Sequence, residues 1–541
     1  MDDPIPPSSP PSSPPPRRER LRARSLPFPA SVIWVVLGTI VVLWGLWSVR
    51  PQTRGAGDGS GGPSPLVGSS PTAAERPALR PIEPVLDSVP PVPHTDTGAV
   101  GHLELTPRVG EEESLPDSYT IVGGDTLGLI ATRFEISLDD LMELNGITDP
   151  NTLQVGQVLL LPRRVALAAP YQKLLPDSEV ILSPTYQDFD LCAFVTEQGG
   201  FLTEYREVVE GSDLDGVEII ERVSQRYSVG PRPLVAMLEY QSGWVTQKEP
   251  EERAYPMGLK DPARAGLFFQ LSWAANRLNQ GYYGKFTGRD LQLYFKDGTR
   301  ALYDEETNPG TAALQNVFAV GNDPDAWGVA LAEDGFYATY LALFGDPWAR
   351  VVEPLIPESL EQPTLALPWS SGEIWYYTGG PHGGWGDLSG WAALDFVPTE
   401  TLGCEAATQW ATAAAAGKVI RSENGEVVLD LDGDGFVGTG WTLLYMHMAS
   451  AGRAGLGSEV ERGDIIGRPS CEGGFSDAAH LHIARRYNGQ WIEADGATPF
   501  MLGEWRAQFA SKSYDGYLVR GDEQREACAC RQEELNGIRA P

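Results

Sequence analysis

One stretch constrains this chain more than any other: residues 30–49, ASVIWVVLGTIVVLWGLWSV, carry no charge at all. At ~1.5 Å per residue, about twenty such residues cross a ~30 Å hydrocarbon layer. No amphipathic sequence flanks the run to enclose it in a soluble core, and no small-residue cleavage site succeeds it, so it reads as a transmembrane helix rather than a removed leader. Trp44 and Trp47 fall near its far end, where interfacial anchors sit. Arg17, Arg18, Arg20, Arg22 and Arg24 precede it, against Arg50 and Arg54 after it. That bias puts the N-terminus in the cytoplasm and everything beyond residue 50 outside. The expected localisation is the cell membrane, single-pass. Residues 1–29 are Pro/Ser-rich and read as a disordered cytoplasmic tail, and 50–117 as a Pro/Gly-rich linker that holds the folded parts off the membrane.

The chain is too long for one core, since 541 residues imply several domains. With 41 basic against 73 acidic side chains, the net charge of −32 excludes a general nucleic-acid binder, which needs clustered Lys and Arg. At Tyr119 the texture changes to a strand, a Gly-Asp turn, two helices and a closing strand. Asp125 or Thr126 can cap the first helix, and Ser137 with Asp140 forms a capping box for the second. The GDTL turn, LxxLN at 141–145 and the LxVGQxLxLP ending occur in order, and residues 118–164 resemble a LysM domain, a βααβ module. The resemblance implies binding to peptidoglycan or chitin glycan, with Gly124, Asp125, Thr126 and Asn145 as candidate contacts.

Residues 171–357 are richer in helical periodicity, clearest at 217–227 and 231–240. YSVGPRPLVAMLEYQSGW at 227–244, with GLFFQLSWAANRL after it, resembles the lysozyme-like fold of lytic transglycosylases. Gln241 stands where that family carries its general acid. Glutamine has no proton to give at neutral pH, and Glu239 lies roughly 200° away around a helix. The resemblance therefore implies a domain that grips glycan without cutting it. A plain helical spacer is the alternative, and a hydrolase using Asp304 or Glu305 is a third reading.

Beyond residue 365 the pattern turns to short alternating strands between Gly-rich turns, as in an all-β sheet or partly open barrel. His480 and His482 lie two apart on a strand, so both imidazoles share one face. One can then bind a metal while the other works beside it. With Tyr445-Met446-His447, Asp395 in Ala-Leu-Asp-Phe, the Ala-x-x-Gly-x-Val strand at 414–419 and the Val-x-x-Gly-Asp-x-Ile-Gly run at 460–467, residues 365–510 resemble the lysostaphin-type (LytM-like) zinc endopeptidases. Carried over position by position, the resemblance makes Asp395 and His482 zinc ligands and His447 and His480 catalytic. A further ligand histidine is required, and the usual His-x-x-x-Asp spacing would place it at Trp391. His382, in a Gly-rich stretch further upstream, is the candidate instead, since the staphylolysin-like branch also reaches its first ligand across a longer insertion. Two imidazoles and one carboxylate would leave an open position at a catalytic Zn2+.

Two smaller features remain. Asp430, Asp432 and Asp434 occupy positions 1, 3 and 5 of a calcium-loop pattern, but position 12 is Trp441 and strands flank the segment. A polar hairpin is the first reading and structural Ca2+ the alternative. Of Cys192, Cys404, Cys471, Cys528 and Cys530, all outside the membrane, Cys404 and Cys471 lie together in the β domain and are the expected disulfide, while residues 511–541 read as a charged C-terminal tail. The chain is thus expected to be a membrane-anchored peptidoglycan hydrolase. It would hold wall glycan with one module and cut wall peptide with a zinc endopeptidase; the rival is an inactive wall-binding scaffold or hydrolase activator.

Overall fold

The computed structural model describes residues 118–122, 125–134, 138–147, 149–150, 152–161, 173–400 and 403–541. Residues 1–29, expected as a cytoplasmic tail, the run at 30–49, expected to span a membrane, the stretch 50–117, expected as a linker, Gly124 and Ser137 lie outside the described residues, among which no helix is long and apolar enough to cross a membrane. In the first module β1 (Ser118–Thr120) pairs antiparallel with β2 (Val158–Leu160), with α1 (Leu127–Arg133) and α2 (Leu138–Leu144) between them in sequence. Leu127 and Ile130 of α1 and Leu141 of α2 close over Ile121 and Leu159, the buried core that the i, i+3 spacing predicts. Thr126, not Asp125, caps α1: its Oγ1 accepts the Leu129 N–H at 3.2 Å, whereas the Asp125 carboxylate accepts from the Tyr119 hydroxyl and the Val122 N–H, both at 2.8 Å.

Next come the hairpin β3 (Arg206–Val209) with β4 (Ser212–Asp215), then α3 (Gly216–Tyr227), α4 (Pro231–Ser242) and α5 (Leu267–Thr287). A second hairpin, β5 (Gln292–Tyr294) with β6 (Arg300–Leu302), leads to α6 (Pro309–Gly321) and α7 (Phe336–Phe344). A capping box starts α3: the Asp215 carboxylate accepts the Glu218 N–H at 2.9 Å, and Glu218 returns the bond at 2.8 Å. Two helices approach closely at Gly281, where a Cβ would stand 2.4 Å from the Ala312 carbonyl oxygen. Glu239 is tied down locally, accepting the Val245 and Thr246 N–H groups at 2.9 and 3.0 Å.

The alternating segments become β7 (Ile374–His382), β8 (Ala393–Pro398), β9 (Ala411–Thr412), β10 (Gly417–Glu423), β11 (Glu426–Asp430), β12 (Trp441–Met446), β13 (Glu459–Val460), β14 (Ile465–Gly467), β15 (Leu481–Tyr487) and β16 (Gln490–Trp491). After them come β17 (Met501–Leu502), β18 (Trp505–Phe509), β19 (Gly516–Arg520), β20 (Glu523–Glu526) and β21 (Gly537–Arg539). One sheet runs β13-β10-β11-β12-β15-β8-β7-β21, with β16 beside β15, and a second runs β17-β18-β19-β20.

The main sheet is buried on both faces, and the period-2 pattern shows how. Val427, Leu429, Leu443, Tyr445, Leu481 and Ile483 point into one core with Trp375 and Trp505. The intervening Val428, Leu444, Met446 and Ala484 point into another, shared with Ile219, Leu234 and Leu278 of the helices. The helical region is therefore packed on the sheet and is no separate spacer. Residues 511–541, expected as a tail, are folded: β19 joins the small sheet, and β21 adds an edge to β7 with Ile538 fully buried. The acidic and basic residues around the β19–β20 turn hid that hairpin. Cys404 and Cys471 form the expected disulfide with Cα atoms 5.1 Å apart, Cys528 pairs with Cys530, and Cys192 is free and exposed.

Candidate metal centre

Register builds the centre. On β8, Asp395 lies opposite His482 of β15 on one side and Gly379 of β7 on the other. A side chain at Gly379 would collide with Asp395, since a Cβ there would stand 2.4 Å from Oδ2. Two register shifts occur along β7, between Tyr377 and Gly379 and between Gly379 and His382, and they turn the last residue of the strand, His382, back towards Asp395. The Gly-rich stretch that carries His382 is thus a bulged strand end. Trp391, at the spacing usual for a ligand, is packed elsewhere, its ring 5.0 Å from Phe509 and under the Arg289 guanidinium at 4.1 Å.

His382, Asp395 and His482 bring their ligand atoms together, with Nε2 of His382 3.0 Å from Nδ1 of His482 and both 3.3 Å from Asp395 Oδ1. All three residues are buried. His480, one residue before β15 and two before His482, has Nε2 3.7 Å from Asp395 Oδ1, and its ring centroid is 4.3 Å from that of His447. The expected five residues therefore form one cluster.

Backbone carbonyls orient all four rings. The Nδ1 of His382 donates to Gly380 O at 2.8 Å, and the Nε2 of His482 to Gly384 O at 3.1 Å. His480 and His447 donate through Nδ1 to Ala478 O at 2.8 Å and Glu472 O at 3.2 Å. These assignments rest on carbonyls being acceptors only. Each ring then turns a bare lone pair inwards. Asp395 Oδ1, buried, has no hydrogen-bond partner. Burial favours its neutral acid, but positive charge placed at the His382 and His480 rings outweighs that and holds its carboxyl well below the usual range, so the pocket favours a carboxylate beside a cation. Two lone pairs and a carboxylate oxygen at 3.0 to 3.3 Å repel one another unless a cation lies among them. Tetrahedral donors at ~2.0–2.1 Å from one zinc stand roughly 3.3 Å apart, so the donor set and its spacing fit that ion.

Burial, with His480 and His482 nearby, pushes His447 down to about 3, so it stays neutral. Its backbone is left-handed, φ 63°, held by the Ser470 N–H and hydroxyl on its carbonyl at 2.6 and 2.9 Å. Sequence reading missed Tyr514. Its ring stacks on His382 at 4.1 Å, and burial together with Asp395 and Asp387 raises its hydroxyl to about 12, keeping it protonated. It belongs to the segment taken for a tail, and no motif marks it.

The other expected sites fare differently. Asn145 is committed to its own fold: its Nδ2 donates to Leu141 O and Leu160 O at 2.8 and 3.0 Å, and its Oδ1 accepts the Leu160 N–H at 2.7 Å. With Asp125 pinning the turn and Thr126 capping, these side chains serve the module's structure. Asp430, Asp432 and Asp434 do converge, in the hairpin between β11 and β12.

Comparison with known proteins agrees with this layout. Residues 119–162 match the LysM domain family, and residues 173–358 match the family described as LasA, N-terminal domain. Protease LasA of Pseudomonas aeruginosa is 26% identical over 318 residues, covering 56% of this chain and 72% of LasA. N-acetylmuramoyl-L-alanine amidase XlyA of Bacillus subtilis is 39% identical over 69 residues, 13% of this chain and 23% of the amidase. Among solved structures, the M23 metalloprotease pseudoalterin is 27% identical with a TM-score of 0.26, covering 31% of this chain and 96% of its own. The lysostaphin catalytic domain of Staphylococcus simulans is 23% identical with a TM-score of 0.16, over 22% of this chain and 87% of its own. The chain thus carries a LysM domain and, after it, a LasA-like N-terminal domain, and it is a homologue of Protease LasA.

Proposed function

We propose that this chain is a membrane-anchored zinc endopeptidase that hydrolyses peptide bonds of peptidoglycan while its LysM domain holds wall glycan. The observation that carries the reading is the inward lone-pair set of His382 Nε2, His482 Nδ1 and Asp395 Oδ1. A zinc ion held by these three would polarise a scissile carbonyl and acidify a water. The chain's own residues supply the rest. The free nitrogen of His480 accepts a proton from an attacking water and returns it to the leaving amine, while His447, held neutral, orients that water. Once protonated, His480 stabilises the oxyanion of the tetrahedral intermediate. Homology to a protease and the LysM match support wall peptide as the substrate class, because retention on an insoluble polymer raises its local concentration. The uncharged run at 30–49 would place this activity outside the cell membrane.

Because one core runs through the helices and the sheet, the test uses the full chain in detergent rather than an excised β domain. The expected result is stoichiometric zinc by elemental analysis and new free amines released from purified wall, both lost in His482→Ala. A zinc-free parent, or wall products without new amines, refutes the reading.

A further inference from the structure

The helices and the sheet meet over an unusual set of buried charges. Arg222 and Arg226 come from α3, Arg421 from β10 and Arg486 from β15. Glu426 of β11, wholly buried, takes Arg226 at 2.6 Å and Arg421 at 2.8 Å, while Glu210 takes Arg226 at 2.9 Å and Glu423 takes Arg222 at 2.8 Å. Arg486 has no such partner among the described residues. Its Nη1 donates to Gln225 O at 2.9 Å, its guanidinium lies 4.5 Å over the Trp491 ring, and its Nη2 is unpartnered. The buried Nε of Arg421 is unpartnered as well. A guanidinium keeps its proton, so four arginines against three glutamates leave one buried charge uncompensated, that of Arg486, while Arg421, matched by Glu426, keeps an open N–H donor.

Beside Arg421 lies a cavity of about 210 Å³, walled half by the helical region and half by the sheet. Leu182, Phe189 and Phe436 give it an apolar side, while Arg421 and Gln225 stand on its inner wall and Glu221 at its exposed rim. Partial burial, and after it the charges of Asp215, Glu218 and Asp190, raise the Glu221 carboxyl above its ordinary value. The cavity therefore offers an unpartnered Arg421 N–H on its inner wall and a carboxylate at its mouth, with an apolar flank. We propose that it binds a small zwitterion of the amino-acid class: carboxylate on Arg421, ammonium at Glu221, a short apolar side chain between Leu182 and Phe436. Neither an anion nor a cation alone satisfies both ends. Since both domains form the walls, such a ligand binds only their docked state and stabilises it by mass action. The inference does not depend on the proposed reaction.

The experiment measures thermal unfolding and calorimetric binding of the full chain with L- and D-leucine, and with N-acetyl-leucine and leucine amide as blocked probes. Free leucine, of either or one hand, should raise the midpoint in a saturable way, with each blocked form at least about tenfold weaker. Arg421→Gln disturbs the ion-pair network and risks the fold, so the informative variant is Glu221→Gln at the rim. Its ligand-free midpoint should be no lower than the parent's, since a carboxylate that its neighbours repel is removed, and it should bind leucine no better than N-acetyl-leucine. No response to any probe, equal response to free and blocked forms, or a preference for leucine over N-acetyl-leucine that survives in Glu221→Gln overturns the proposal.

Discussion

Two clusters in this molecule each bring three potential ligand atoms within 4.8 Å of one another, yet they are chemically unlike. In the His382–Asp395–His482 group the inner donor atoms have no other occupation, because every outward nitrogen is already fixed by a carbonyl. In the hairpin trio the carboxylates are busy. Asp430 accepts the Asp432, Gly433 and Gly435 N–H groups at 3.2, 3.2 and 2.8 Å, and Asp434 accepts from the Phe436 N–H at 2.8 Å and the Thr439 hydroxyl at 2.6 Å. Asp432 and Asp434 are also exposed, so water competes for them. Proximity is common to both clusters. A metal centre is distinguished by donor atoms that the protein itself leaves unsatisfied in a dry place.

The contrast is broken most severely by His482→Ala, which removes a lone pair from the buried group. Zinc content should fall to background and wall hydrolysis by more than about a thousandfold, read by elemental analysis and amine release. His480→Ala should separate binding from chemistry, because its nitrogen stands outside the triad at 3.7 Å from Asp395. Zinc should be retained while kcat drops by about 10²- to 10⁴-fold with little change in KM. If His480→Ala loses its zinc as well, the division between ligand and proton carrier is wrong. A smaller effect is expected from Gly379→Ala, where the new methyl displaces the Asp395 carboxylate. Zinc affinity should weaken by about 10- to 100-fold in competition with a chelator, at an unchanged fold.

How much of this was legible beforehand depended on how local each feature is. The βααβ module is written in consecutive residues, and the strand GKVIRSE is β10 itself, because alternation needs no distant partner to be seen. His480 and His482 were readable for the same reason: a spacing of two fixes a shared face. His382 was reached only by elimination with the help of a family resemblance, since the bulges that aim it depend on the β7–β8 register, which no local pattern encodes. Tyr514 and β21 were missed because each gains its role only when the chain's end returns to β7. The docking of the helices was hidden too. A strand buried on two faces alternates between two apolar sets, and the sequence does not say that the second set faces another part of the same chain.

The smallest effect belongs to the hairpin, and it sharpens the comparison from the other side. Exposed though it is, Asp432 is partly desolvated by the hairpin, and this, with the adjacent Asp430 and Asp434 carboxylates, raises it from 3.8 to about 6. A folded-state value above the unfolded one means that the fold favours the protonated form. That contribution is fully present below about pH 4 and is lost as pH rises through about 6. Asp432→Asn mimics the protonated side chain at every pH. It should therefore unfold about a degree higher than the parent at pH 7.5, and the gap should close by about pH 4. Calcium should leave the parent's midpoint unmoved, because the carboxylates already hold backbone and hydroxyl donors. A calcium-dependent rise in the parent, absent from Asp432→Asn, would instead make the hairpin a true cation site. Satisfied carboxylates would then be no guide to where this fold places its metals, and the distinction drawn for the buried triad would need a different physical basis.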